Sequence, residues 1–76
     1  MKYQMPSGAE YEVRRAGIRV EIVRVRIGDA ERIGFWGYAH VDASGQMTSL
    51  DVQGSNTAEL LEIVGALRAA AEGQRS

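Results

Sequence analysis

The run Ile18-Arg19-Val20-Glu21-Ile22-Val23-Arg24-Val25-Arg26-Ile27 decides the fold. Ile18, Val20 and Ile22 alternate with Arg19 and Glu21, the two-residue period of a strand with one buried face. At Ile22-Val23 the parity flips. Val23, Val25 and Ile27 become the apolar set, against Arg24 and Arg26. Successive strand residues point to opposite faces, so one extra residue at this step restores a continuous apolar face. The pattern predicts a β-bulge at Ile22-Val23, with its added twist; the alternative is a strand buried on both faces over that step.

The flanking segments follow from this strand. Upstream, Ala9-Glu10-Tyr11-Glu12-Val13 alternates in the same way, and Arg14-Arg15-Ala16-Gly17 reads as the connecting loop. Pro6-Ser7-Gly8 sets off a short N-terminal segment. Downstream, Gly28-Asp29-Ala30-Glu31 reads as a turn and residues 32–41 as the next strand. Asp42-Ala43-Ser44-Gly45-Gln46 holds a tight turn at Ser44-Gly45, and residues 47–53 form the last strand. Asn56 is a good N-cap, and Glu59 three residues later completes a capping-box pattern. The helix is expected over 57–72, with Leu60, Ile63, Val64, Leu67 and Ala71 as its apolar stripe and Gly73 as its C-cap. With 76 residues the chain holds a single domain. The expected fold is α+β: a four-stranded antiparallel β-meander with one C-terminal α-helix packed on one face.

One helix covers one face of a small sheet. The face with Val23, Val25, Ile27, Ile33, Phe35, Val41, Leu50 and Val52 carries no charge, so it is the expected covered face. Pairing Val25 with Phe35 places Arg24 opposite Trp36. Pairing across Ser44-Gly45 places Tyr38 opposite Asp51 and His40 opposite Ser49. The open face then presents Arg24, Arg26, Trp36, Tyr38, His40 and Asp51. Exposed tryptophan and tyrosine flanked by arginine is the composition of an interaction hot spot, so these six are the candidate partner-binding residues.

Composition excludes several chemistries. There is no cysteine, so disulfides and thiolate ligands or nucleophiles are ruled out, and one histidine cannot make a multi-histidine metal site. No cofactor or metal site is expected. No apolar run approaches the roughly 18 residues that cross a bilayer, and Met1 to Pro6 lacks the apolar core of a signal peptide, so a cytoplasmic location is expected. His40, Ser49 and Asp51 invite a hydrolase reading. A flat sheet face offers no evident oxyanion hole or nucleophile elbow, so a solvated polar cluster is the expectation, and no catalytic residue is assigned. The glycines near Gly28 and Gly34 sit in a turn and a strand and do not form a phosphate loop.

Charge is segregated. Arg14, Arg15, Arg19, Arg24, Arg26 and Arg32 make the middle basic, whereas Asp51, Glu59, Glu62 and Glu72 make the end acidic; the whole chain carries -1. A DNA-coating protein is disfavoured by that balance. Arginine and aromatics on an open sheet can also stack single-stranded bases. In its order of strands followed by a helix, the chain resembles PC4-like single-stranded DNA-binding proteins. Asp51 on the binding face and a single lysine depart from their basic strands. In size, lack of cysteine, one antiparallel sheet and an acidic stretch from Asp51 to Glu72, the chain is similar to small phage-encoded inhibitors of the anti-CRISPR type. That resemblance implies a non-enzymatic protein that binds a bacterial protein complex, such as a CRISPR-Cas component. The expected function is therefore protein binding, with a homodimer through the open sheet face as a further expectation and nucleic acid as the alternative.

Overall fold

A computed structural model describes residues 1–32 and 36–73. The strands are β1 (Lys2–Gln4), β2 (Ala9–Ala16), β3 (Arg19–Ile27), β4 (Ala30–Arg32), β5 (Trp36–Val41) and β6 (Met47–Gln53), followed by the helix α1 (Thr57–Gly73). They form one antiparallel sheet in the order β1-β2-β3-β5-β6, and β4 pairs the end of β3 beyond β5. The class is α+β with one C-terminal helix, as expected, but the sheet has five to six strands rather than four.

Two local features account for the difference. The N-terminal segment is itself a strand, with Tyr3 opposite Tyr11. Its ends are tied to β2 by the Val13 amide on the Met1 carbonyl (2.7 Å) and the Met5 amide on the Ala9 carbonyl (2.8 Å). Three residues are too few for alternation to register as a pattern. In addition, the expected strand over 32–41 is described as two pieces, β4 and β5; Ile33, Gly34 and Phe35 lie outside the described residues.

The turns are tighter than the sequence suggested. Gly17-Ile18 and Gly28-Asp29 are two-residue turns, with Gly17 at φ 62° and Gly28 at φ 61°. A glycine with positive φ at the first central position matches the twist of paired strands. Tight turns set the register. Ala30 therefore faces Ile27, and Val25 has Arg32 opposite it on this side; the partner expected for it, Phe35, lies outside the described residues.

The bulge falls where the parity flip placed it. Glu12 pairs Arg24 and Val13 pairs Ile22, leaving Val23 as the extra residue. Val23 is thereby turned out, 48% exposed, and leaves the expected core set. Ile22 takes its place against the core. Leu50 and Ile27 also belong to the expected covered set, yet both remain exposed at the sheet margins.

The core lies between α1 and one face of the sheet. Ala9, Tyr11, Val13, Val20, Val25, Ala39 and Val41 meet Ile63, Ala66, Leu67, Ala70 and Ala71. The buried helix stripe is richer in alanine than the expected one, with Leu60 and Val64 only half-buried. Small side chains let the helix lie close to the sheet. The N-cap forms as read: the Glu59 amide donates to Asn56 Oδ1 (3.0 Å), and Glu59 Oε2 accepts from the Ser55 amide (2.8 Å). Gly73 is the last residue of α1 rather than a cap beyond it.

The Asp42 turn carries a pH-dependent contribution. Its Oδ1 accepts from the Ser44 hydroxyl (2.6 Å) and from the amides of Ser44 (2.9 Å) and Gln46 (3.0 Å). The Ser44 hydroxyl, then the Gln46 amide, hold the carboxyl below its ordinary value of 3.8. A folded pKa lowered in this way stabilises the protein above the unfolded value, and the contribution is lost as pH falls through the folded one. Asp42→Asn should flatten the loss of stability that wild type shows below about pH 4, followed by circular dichroism.

Candidate functional site

The uncovered face of the sheet carries the aromatic residues, because strand parity sends them away from α1. Gly37 and Ala39 point into the core and are buried, so Trp36, Tyr38 and His40 point outward from β5. They form a ladder. The Trp36 and Tyr38 rings lie 6.2 Å apart and nearly parallel, at 9°, and His40 meets Tyr38 edge-on at 5.8 Å. Trp36 is 40% exposed, which places it on the open side as expected.

The register from β5 to β6 is the expected one: Tyr38 faces Asp51, His40 faces Ser49 and Trp36 faces Gln53. Four of the six candidate residues, Trp36, Tyr38, His40 and Asp51, therefore sit side by side. Arg24 and Arg26 share the face but lie further along β3. Arg24 faces Glu12 rather than Trp36, and its Nε contacts Glu31 at 2.8 Å. Arg26 is opposite Glu10 on one side and Glu31 on the other. Both arginines lie beside carboxylates, and among the described residues neither makes a cation–π contact with the ladder.

The cation that does reach the ladder is Arg19. Its guanidinium carbon lies 4.0 Å from the Tyr38 ring centroid, within cation–π range. Glu21 holds it there: Glu21 Oε2 is 3.4 Å from Arg19 Nε, and the other carboxylate oxygen pairs with Arg14. The Arg14 hydrogen bond in particular keeps the Glu21 carboxyl below the usual carboxylate range. Alternation in β3 sets Arg19 opposite in face to Val20, but Arg19 is not among the six candidate residues. The missing signal was the β3–β5 register, which sets Arg19 opposite His40 and Glu21 opposite Tyr38.

The face as a whole is electrically balanced. Among the described residues it presents Lys2, Arg14, Arg19, Arg24 and Arg26 against Glu10, Glu12, Glu21, Glu31 and Asp51. His40 and Ser49 are cross-strand partners, but no hydrogen bond joins His40 to Ser49 or Asp51 among the described residues. No group of three metal-ligating side chains occurs among the described residues, and no described helix is long and apolar enough to cross a membrane. The arrangement offers a flat aromatic surface with one preset cation and alternating charge around it.

Compared with known proteins, the chain matches no family model, no curated protein and no solved structure.

Proposed function

We propose that the protein is a non-enzymatic binding module whose partner is another protein, held against the open sheet face at Trp36, Tyr38, His40 and Arg19. The observation that carries this reading is the stacked Trp36–Tyr38 pair on the open face, with Trp36 exposed and Arg19 held over the Tyr38 ring. Tryptophan, tyrosine and arginine dominate interface hot spots; the two aromatics bury much area with few rotors, and arginine adds a planar fork of donors. Arg19 is held before binding by Glu21 and Tyr38, so less side-chain entropy is lost on association.

The balanced charge of the face favours protein over nucleic acid. A strand of phosphates gains affinity by cation contacts that release counterions, whereas five carboxylates interleaved with the five cations oppose such contacts. An anti-CRISPR-type inhibitor that blocks a bacterial protein complex is one form of this function.

Photo-crosslinking from position 36 in the producing cell identifies the partner, and binding is then measured with the purified pair. Arg19→Ala with Trp36→Ala should weaken that complex at least thirtyfold, equivalent to about 2 kcal/mol, without unfolding the protein. Arg68→Ala on the exposed helix surface serves as the near-neutral control. Glu59→Lys with Glu62→Lys tests the acidic helix; loss of binding there alone, with native circular dichroism, would move the site off the sheet. Tight binding of a thymidine oligonucleotide, with a steep salt dependence abolished by Arg19→Ala, would replace the protein reading with the nucleic-acid one.

A further inference from the structure

Among the described residues the main strand order ends at β1 and β6, two edges of different character. β1 is three residues long and opens with Lys2. β6 is seven residues long, and only Met47 and Val52 are half-buried in it. It contains no proline, lysine or arginine, and Asp51 is its one charge. Its register shift lies at the start, where Val41 faces Met47 and His40 faces Ser49, so Thr48 is the extra residue. From Ser49 to Gln53 the strand is regular. Leu50 faces buried Ala39 on the helix side of the sheet, yet it remains 47% exposed.

A regular edge with unpaired amides and carbonyls is a template for another strand, and proteins blunt such edges with lysine, proline or bulges when nothing is to pair there. Ser49–Gln53 has none of these devices.

We propose that β6 pairs antiparallel with β6 of a second copy of this chain, about a two-fold axis through Leu50. The strand's own sequence selects this occupant and this register. An axis perpendicular to the sheet must pass through a residue for like faces to match. Through Asp51 it would set two carboxylates directly opposite, which is destabilising. Through Ser49 it would put the bulge at Thr48 next to the axis, opposite Leu50. Through Val52 it would leave only Asp51–Gln53 paired within the strand, whereas through Leu50 the bulge falls at the end of the paired stretch, opposite Val52. Through Leu50 it joins the two exposed leucines, and each Ser49 hydroxyl faces the Asp51 carboxylate of the second copy. The resulting sheet is continuous, with both aromatic ladders on one side. Three strand spacings, about 14 Å, separate the two β5 strands.

This inference is independent of what the aromatic face binds. Sedimentation velocity of the purified chain from about 1 μM to about 1 mM should show the monomer passing to a dimer. Leu50→Lys, which places two ammonium groups on the axis, should remain monomeric while its circular dichroism stays native. The absence of cysteine allows a clean register probe. Leu50→Cys should form a disulfide-linked dimer on mild oxidation. Thr48→Cys should not, because the two copies of residue 48 lie four residues apart along the strands, beyond the roughly 7 Å that a disulfide spans. A monomer at all concentrations overturns the proposal. So does a dimer that survives Leu50→Lys and dissociates in Trp36→Ala, which would place the contact on the open face. Equal crosslinking at 48 and 50 overturns the register. Should Leu50→Lys fail to fold, the two cysteine variants still decide.

Discussion

Tyr11→Ala is expected to remove about 3–5 kcal/mol of stability, the cost of truncating a large buried ring. A 76-residue domain has roughly 4–11 kcal/mol in total, so the loss takes from a quarter of that stability to all of it. Tyr11 is the largest fully buried side chain, 1% exposed, at the point where β2 meets both β3 and α1. Its hydroxyl emerges at the helix and donates to Glu62 Oε1 at 3.0 Å. Urea denaturation followed by circular dichroism measures the loss. Tyr11→Phe separates the ring from the hydroxyl and should cost about 1 kcal/mol, the usual worth of one hydrogen bond. An alanine variant as stable as the phenylalanine one would show that the ring is not a keystone of the core.

The same hydroxyl gives the protein an alkaline weakness. Burial, reinforced by the Glu62 hydrogen bond, pushes the phenol well above its ordinary value of 10. An acid with a raised folded pKa stabilises the fold below its unfolded pKa, and the contribution is lost as pH climbs toward the folded one. Stability should therefore decline above about pH 10, and Tyr11→Phe should decline less steeply over the same range.

Gly37→Val is the second large effect expected. Gly37 lies between Trp36 and Tyr38 on β5 but faces the opposite way, into the helix. A Cβ there would stand 2.8 Å from Ile63 Cγ2 and 2.9 Å from Val52 Cγ1. Both are methyl groups on β-branched side chains, which have little freedom to swing aside. The helix or strand must move instead. Gly37→Ala should cost about 1–3 kcal/mol, and valine, with two further methyl groups, more. The coupling is testable by a double-mutant cycle, since Gly37→Ala should cost markedly less in an Ile63→Ala background. Additive losses would locate the strain elsewhere.

Gly37 also explains how one short strand serves two surfaces. The absent side chain lets α1 close against the inner side, while the residues on either side of it stand as the aromatic ladder on the outer side. Gly65, in the middle of α1, has nothing within 4 Å of where its Cβ would be and is a surface position.

Local chemistry made a good part of this legible. The parity flip at Ile22-Val23 located the bulge, because alternation has a fixed period and an extra residue is the simplest repair. Asn56 and Glu59 located the helix start, because their hydrogen bonds reach only neighbouring amides. Tyr38 opposite Asp51 and His40 opposite Ser49 also came out as read, although the loop runs over residues 43–45 rather than Ser44-Gly45 and the extra Thr48 restores the count. Each of these rests on contacts between residues close in sequence, or across one tight turn.

The sequence by itself thus determined the class of fold, the helix, the bulge and the side of the sheet on which Trp36 stands. Only the tertiary structure decided which arginine meets the aromatics. Arg19, Arg24 and Arg26 all point to the same face by parity, and parity cannot choose among them. The choice depends on how far β5 slides along β3, seen in the pairing of Arg19 with His40 and of Glu21 with Tyr38. Register between strands joined through a longer stretch is a balance of many small contacts on both faces, and no single residue announces it.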